Sequence, residues 1–184
     1  MNNWRKKRLI ANRYNATSQS YDEQYAQEQT AKYTATQKLL KTSKNDVILD
    51  VGCGSGLFFS YVADKVKMIV GVDISHKLLL KAKNHAKSLG NVHIVQADAD
   101  YLPFKNAMFN VVFAFTMLQN MPAPKKTLFE FKQQLTSEGN LVVTGLKKAF
   151  ELHVFLNLFK DNTLRLLEFI DTPTLNCYIT ITSC

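Results

Sequence analysis

Cysteine is scarce in this chain and spaced against cross-linking or metal chemistry. Cys53, Cys177 and Cys184 form no CxxC pair and leave an odd count, so neither a disulfide framework nor a zinc site is indicated. Long apolar runs are also missing: Leu152 to Phe159 is interrupted by His153 and Asn157, far short of the roughly 20 residues of a membrane span. Trp4 is followed directly by Arg5, Lys6, Lys7 and Arg8, which leaves no apolar secretory segment near the start. Acids are absent from the first thirteen residues. These gaps predict a reducing, cytoplasmic setting with no transmembrane segment and no metal. What is present is sufficient for one domain over residues 1–184, because 46% hydrophobic residues can fill a core without staples.

The formal charge of +8 is unevenly placed, with Arg5, Lys6, Lys7, Arg8 and Arg13 together supplying +5 and the rest of the chain only +3. Such an arm can attract nucleic acid or an anionic surface, although a solvated and partly frayed terminus is the first expectation. From Tyr21 to Lys41 the sequence is polar and rich in Gln and Ala, with Tyr21, Tyr25, Leu39 and Leu40 in a loose helical arrangement. Residues 1–42 therefore read as a basic arm and helical lid before a core at 43–184.

Beyond residue 43 strand and helix patterns take turns. Strands are predicted near 46–51, 67–72, 91–96, 109–115 and 139–146, with helical stretches near 56–65, 75–88, 122–136 and 148–160. That alternation implies a Rossmann-like, doubly wound α/β sheet with helices on both faces. The runs "TLRLLEFI" and "NCYITIT" are joined too briefly for a parallel crossover and predict a C-terminal antiparallel hairpin. The expected total is seven strands, mostly parallel.

Glycine, with only seven residues in the chain, gathers three of them at Gly52, Gly54 and Gly56, directly after the first strand. A dinucleotide fingerprint starting at Gly52 would need its third glycine at 57, where Leu57 stands. No GK[ST] closes the loop, so a nucleotide P-loop is excluded as well. Asp73 ends the second strand 21 residues after Gly52, where an acid accepts hydrogen bonds from both ribose hydroxyls; Ser75 supplies the cap of the helix that follows. Asp98 follows the third strand in "QADADYLPF", sited to accept from an adenine amino group, with Leu102, Pro103 and Phe104 as flat apolar contacts. All of these lie at carboxyl ends of successive strands, where open α/β sheets bind ligands.

The stretches "VILDVGCGSG", "VGVDIS", "ADADYLPF" and "FNVVFAFTMLQN", in that order across about a hundred residues, resemble the successive motifs of class I S-adenosylmethionine-dependent methyltransferases. The group is similar in pattern to the small quinone-biosynthesis methyltransferases. The resemblance implies that S-adenosyl-L-methionine binds and leaves as S-adenosyl-L-homocysteine. Having no phosphate, it does not need the helix end that a pyrophosphate would. By the same resemblance Asp50 and the loop Gly52, Cys53, Gly54 and Gly56 hold the methionine end, Asp73 the ribose, and Asp98 with the Ala99 backbone the adenine edge. Ile74 packs on the base, Phe115 and Thr116 approach the amino-acid end, and Tyr21 covers the cofactor, with Tyr25 beside it.

No strong base is visible after the fourth strand. Gln119 and Asn120, with Tyr21, are candidates for orienting an acceptor, a small molecule in the first reading. His76, His85, His93 and His153 are scattered without a partner pattern. The chain departs from the nucleobase-amine and glutamine methyltransferases, which carry an Asn/Asp-Pro-Pro-Tyr/Phe segment where this chain has "FTMLQNMP"; related sequences often carry Asp where Asn110 stands. Aromatic and aliphatic residues from Phe150 to Phe159 are either an acceptor wall or plain core. Two further readings stay open: a catalytically inactive or RNA-associated S-adenosylmethionine-binding protein that uses the basic N-terminus, and a nicotinamide oxidoreductase, which Leu57 disfavours. The chain is expected as a monomer or a dimer.

Overall fold

Hydrophobic alternation organises the centre of the molecule. In the computed structural model, which describes residues 2–184, five strands run parallel: β1 (Val47–Val51), β2 (Met68–Asp73), β3 (Val92–Gln96), β4 (Phe109–Ala114) and β5 (Leu135–Leu146). Two more, β6 (Arg165–Ile170) and β7 (Cys177–Ser183), pair antiparallel with each other, and β7 pairs antiparallel with β5. The seven-stranded order is β3-β2-β1-β4-β5-β7-β6. The doubly wound sheet and the closing hairpin are therefore as the sequence predicts.

Because successive strand residues face opposite ways, Ile48, Ile69, Val111, Phe113 and Val142 pack on one face. Leu49, Val51, Val70, Val72, Val112 and Val143 pack on the other. Helices cover both: α3 (Phe59–Val62), α4 (His76–Ala86), α5 (Pro124–Gln134) and α6 (Leu152–Lys160), preceded by α1 (Asn3–Thr17) and α2 (Tyr21–Leu39). Phe155 and Phe159 lie in the second core, so these two rings of α6 are core, while Leu152 and Val154 on the same helix are exposed.

Three segments differ from the sequence expectation. The helix expected over 56–65 shrinks to Phe59–Val62 and a 3-10 turn, because Gly54 and Gly56 hold left-handed backbone (φ +59° and +83°) and a chain turning that way cannot propagate a right-handed helix. β5 starts four residues early, with a register shift between Phe109 and Val111 that absorbs the extra length. The basic arm is not frayed: Asn2 caps α1 by accepting from Trp4 N–H, and Lys7 on the same helix is buried in a double ion pair.

Asn110 keeps the structural bond that its amide could have weakened, since Oδ1 accepts from Val47 N–H at 2.9 Å. Gly71 in β2 leaves room for the ring of Phe59; a Cβ there would meet Phe59 Cζ at 2.6 Å and Cys53 Sγ at 3.1 Å. Gly71→Ala is expected to cost about 1–3 kcal/mol by overpacking beneath the glycine loop, read as a lower urea midpoint at unchanged slope.

Candidate functional site

The carboxyl ends of β1, β2 and β4 converge on one crevice, whose centre is the glycine loop. Gly52 and Gly54 adopt φ +74° and +59°, and their missing side chains make the cradle: a Cβ on Gly52 would meet Met117 Cβ at 2.8 Å, and one on Gly54 the Tyr21 hydroxyl at 3.1 Å. Asp73 straps this loop to β2. Its Oδ2 accepts from Gly54 N–H at 3.0 Å and its Oδ1 from Ser75 N–H at 2.7 Å. Burial raises the Asp73 pKa, against the lowering by the N–H groups of Ser75, Gly54 and Ile74. Ser75 caps α4 as expected, with Oγ accepting from Leu78 N–H at 3.3 Å.

Two cavities open beside the loop. The first, of about 80 Å³, is lined by Gly52, Asp73, Ile74, Asp98, Ala99, Phe115 and Thr116, and it is closed from above by Lys7, Ile10, Tyr14 and Tyr21. The second, of about 10 Å³, lies between Asp50, Gly52, Cys53 and Phe115, with Tyr21, Gln29 and Tyr33 over it. Together the cavities touch all the expected cofactor residues except Gly54 and Gly56. Gly54 is roofed by Tyr21, and Gly56 turns away onto Phe59, where a Cβ would come within 2.5 Å of the ring. The first cavity is below the roughly 300 Å³ at which small-molecule sites begin, and three of the residues that close it, Lys7, Ile10 and Tyr14, belong to α1.

Asp50 is the group whose environment asks most plainly for a ligand. It is 3% exposed, and burial, followed by the charge of Asp73, pushes its pKa up to about 8, with no hydrogen bond among the described residues to oppose that rise. Burial likewise raises Tyr21 and Cys53, the latter also facing Asp50 and Asp73; the Cys53 thiol is thus protonated and no nucleophile. Thr116 sits in the left-handed region at φ +56°, a conformation costing about 1 kcal/mol in a residue with a β-branch. It is held there because its N–H donates to Thr144 Oγ1 and its Oγ1 accepts from Lys32 Nζ, both at 2.7 Å.

The adenine edge differs from expectation. Asp98 receives Lys7 Nζ at 2.7 and 2.8 Å, and the same ammonium lies 2.5 Å from Asp100 Oδ2. Leu102 and Phe104, expected as adenine contacts, line neither cavity beside the loop; an isolated bridge joins Asp98 to Tyr101, and both side chains pack with the second core, Phe104 against Phe109 at 5.3 Å. Met117, Met121 and Ile10 line the first cavity. Gln119 donates to the Thr116 carbonyl, and Asn120 Nδ2 donates to Tyr14 Oη at 3.2 Å. Tyr25 packs on Tyr21 with ring centroids 4.9 Å apart.

Lys7 is expected from the sequence only as part of a basic arm, and Ile10, Tyr14 and Asn15 carry no expectation at all. Asn15 Oδ1 accepts from both Ser75 Oγ and Lys77 N–H, pinning α1 across the start of α4. The only advance signal was a polar–apolar mixture at helical spacing in the arm. Among the described residues no three His, Cys, Asp or Glu side chains could hold a metal, and no helix is long and apolar enough to cross a membrane.

This arrangement of strand ends, glycine cradle and acid at the second strand has known counterparts. The methyltransferase domain family matches residues 49–143, more than half of the chain. The chain belongs to this family. A malonyl-[acyl-carrier protein] O-methyltransferase of Marinomonas sp. (strain MWYL1) is 30% identical over 145 residues, covering 78% of this chain and 53% of that protein. A tRNA U34 carboxymethyltransferase of Pseudoalteromonas atlantica is 32% identical over 118 residues, covering 62% and 36%. This methyltransferase chain thus spans about half, or less, of the length of the curated relatives it matches. An S-adenosylmethionine dependent methyltransferase from Mesorhizobium loti shares the fold, with TM-score 0.75 at 14% identity over 84% of this chain and 98% of the other.

Proposed function

We propose that this chain is an S-adenosylmethionine-dependent methyltransferase acting in the cytoplasm on a small-molecule acceptor. The observation that carries the reading is a pair of acids at adjoining strand ends: Asp73, half-buried beside the glycine cradle, and Asp50, buried and, among the described residues, with no cation or hydrogen-bond donor. A buried carboxylate that lacks a partner is costly, and the ammonium of a methionine moiety is the partner its position fits. Asp50 and the 52–54 loop would hold the methionine end, Asp73 the ribose, Asp98 and Ala99 the adenine edge, with Ile74 against the base, Phe115 and Thr116 at the amino-acid end and Tyr21 as cover. When bound, the cofactor supplies a methyl group on a sulfonium sulfur that takes back the bonding electron pair as the methyl leaves. The protein's part is then positioning and exclusion of water more than proton transfer. Gln119 and Asn120 orient the acceptor from the end of β4.

The RNA-associated reading has less support once the arm is folded. Lys7 is spent on Asp98 and Asp100, and Lys6 Nζ donates to the Met121 carbonyl at 3.2 Å, which leaves a sparse basic face. Calorimetry separates the methyltransferase reading from the nicotinamide one: saturable heat with S-adenosylmethionine and S-adenosylhomocysteine, and none with NAD, is expected. Heat with NAD alone would end the methyltransferase proposal.

A pH dependence follows from Asp50. Its carboxyl is protonated below about pH 8 in the free protein, and an ammonium binds the ionised form, so binding expels a proton. Affinity for S-adenosylhomocysteine is expected to rise up to about tenfold per pH unit between pH 6 and 7 and to level off above 8. Asp50→Asn should bind weakly with a flat profile. The sign for stability is opposite to the ordinary carboxylate case: the folded chain keeps a proton that the unfolded chain releases above about pH 4. Asp50 therefore lowers stability progressively from about pH 4 to 8, and the Asn variant loses that slope.

A further inference from the structure

We infer that the broad cleft next to the cofactor crevice takes an anionic methyl acceptor, its negative group held by Arg13 of α1 and Lys148 after β5. This rests on the methyltransferase reading and names the acceptor class for that site. The cleft encloses about 810 Å³ between α1, α2 and the segment following β5, a volume suited to a small molecule. Tyr14, Thr116 and Asn120 line both this cleft and the first cavity, so the two spaces meet across the end of β4, where an acceptor has to reach a methyl group.

The charges of the cleft do not cancel. Its cationic side chains are Arg13, Lys147 and Lys148, and its acid is Glu28. Lys147 is occupied, 2.7 Å from Asp171 Oδ1 and donating to the Thr172 carbonyl. Glu28 is matched by Lys32, fully buried and 2.7 Å away. Among the described residues neither Arg13 nor Lys148 has a carboxylate within 4 Å, and they come from different segments of the lining, α1 and the stretch after β5. Arg13 is preorganised as well, its guanidinium 4.8 Å from the Tyr14 ring and Nη2 3.5 Å from Asn120 Oδ1. The planar fork of Arg matches carboxylate or phosphate oxygens in pairs, and low-dielectric cleft walls concentrate the field of two unpaired cations.

A third group points to the same ligand. Gln119 uses its amide N–H on the Thr116 carbonyl, while its Oε1 is buried and without a partner. An unsatisfied buried acceptor costs about 1–3 kcal/mol, and an O–H or N–H donor on the acceptor molecule beside Thr116 would relieve it. The cleft lining thus includes two cations without a carboxylate partner and, on Gln119, a hydrogen-bond acceptor without a donor, which fits a small carboxylate or phosphate ester bearing a hydroxyl or amine.

The test is a titration of the full chain, saturated with S-adenosylhomocysteine, with malonate, inorganic phosphate and neutral malonamide, followed by NMR shifts. Saturable shifts with one or both anions and none with malonamide are expected. The Arg13→Gln, Lys148→Gln double variant should lose at least about tenfold in anion affinity while holding S-adenosylhomocysteine as wild type does. Equal anion binding by the double variant, equal binding of malonamide, or no saturation by either anion overturns the proposal and leaves the cofactor reading intact. So does an RNA oligonucleotide whose binding collapses in the double variant but which neither anion displaces. Failure of the wild-type chain to bind S-adenosylhomocysteine instead removes the methyltransferase reading itself.

Discussion

Lys7→Met is expected to lower the stability of the chain by roughly 3–5 kcal/mol, the cost of removing one member of a buried ion cluster. The substitution keeps the length and apolar stem of the side chain, so the loss comes from charge. Lys7 is 6% exposed, and its partners Asp98 and Asp100 are 14% and 4% exposed, which leaves two enclosed carboxylates without a cation when it goes. Asp100 also accepts from Thr127 Oγ1 on α5, and Asp98 Oδ1 from the Asp100 N–H, so the carboxylates cannot turn out to water cheaply. Urea unfolding at neutral pH measures the effect, and Lys7→Met with Asp98→Asn should recover part of it. A loss under about 1 kcal/mol would mean that α1 is held by its other contacts, chiefly Asn15 on Ser75 and Lys77, and that the ion cluster contributes as weakly as a surface pair does.

Asp73→Ala is expected to weaken S-adenosylhomocysteine binding at least about a hundredfold. A hydrogen bond to a charged group is worth about 1.5–3 kcal/mol, two ribose hydroxyls depend on this carboxylate in the proposed mode, and each 1.4 kcal/mol is tenfold in affinity. The substitution also releases the strap on Gly54 N–H, so the loop that should pass under the methionine loses its anchor. Asp73→Asn keeps one acceptor oxygen and should lie between the two. Calorimetry on variants shown folded by circular dichroism measures the difference. Undiminished affinity in a folded Ala variant would remove Asp73 from the site and the assignment of the crevice with it.

Much of this site is legible in the sequence because it is built from residues near one another along the chain and constrained by backbone. Three glycines in five positions announce a turn that only glycine can make, and all three take positive φ. An acid closing a strand, followed two residues later by a helix-capping serine, fixes both Asp73 and the start of α4. Alternating apolar runs set the five parallel strands, and the short link before "NCYITIT" set the hairpin. The resemblance to the methyltransferase motifs then placed Asp50, Ile74, Ala99, Phe115 and Thr116, all of which line one cavity or the other.

The misses have the opposite character. Lys7 meets Asp98 across 91 residues of sequence, and Asn15 meets Ser75 across 60; a helical period says which residues share a face and nothing about which distant acid that face will find. Leu102 and Phe104 follow Asp98 in sequence, yet they pack with the second core and line neither cavity.

The sequence alone therefore determined the sheet, the cradle and the acids at its strand ends, because backbone conformation and hydrophobic period are local properties of a chain. Only the tertiary structure decided that the basic arm is a latched helix and not a free one. The tertiary structure alone also decided which cations remain unpaired beside the crevice. Charge pairing depends on distances of a few ångströms between residues far apart in the chain, and folding alone sets those distances.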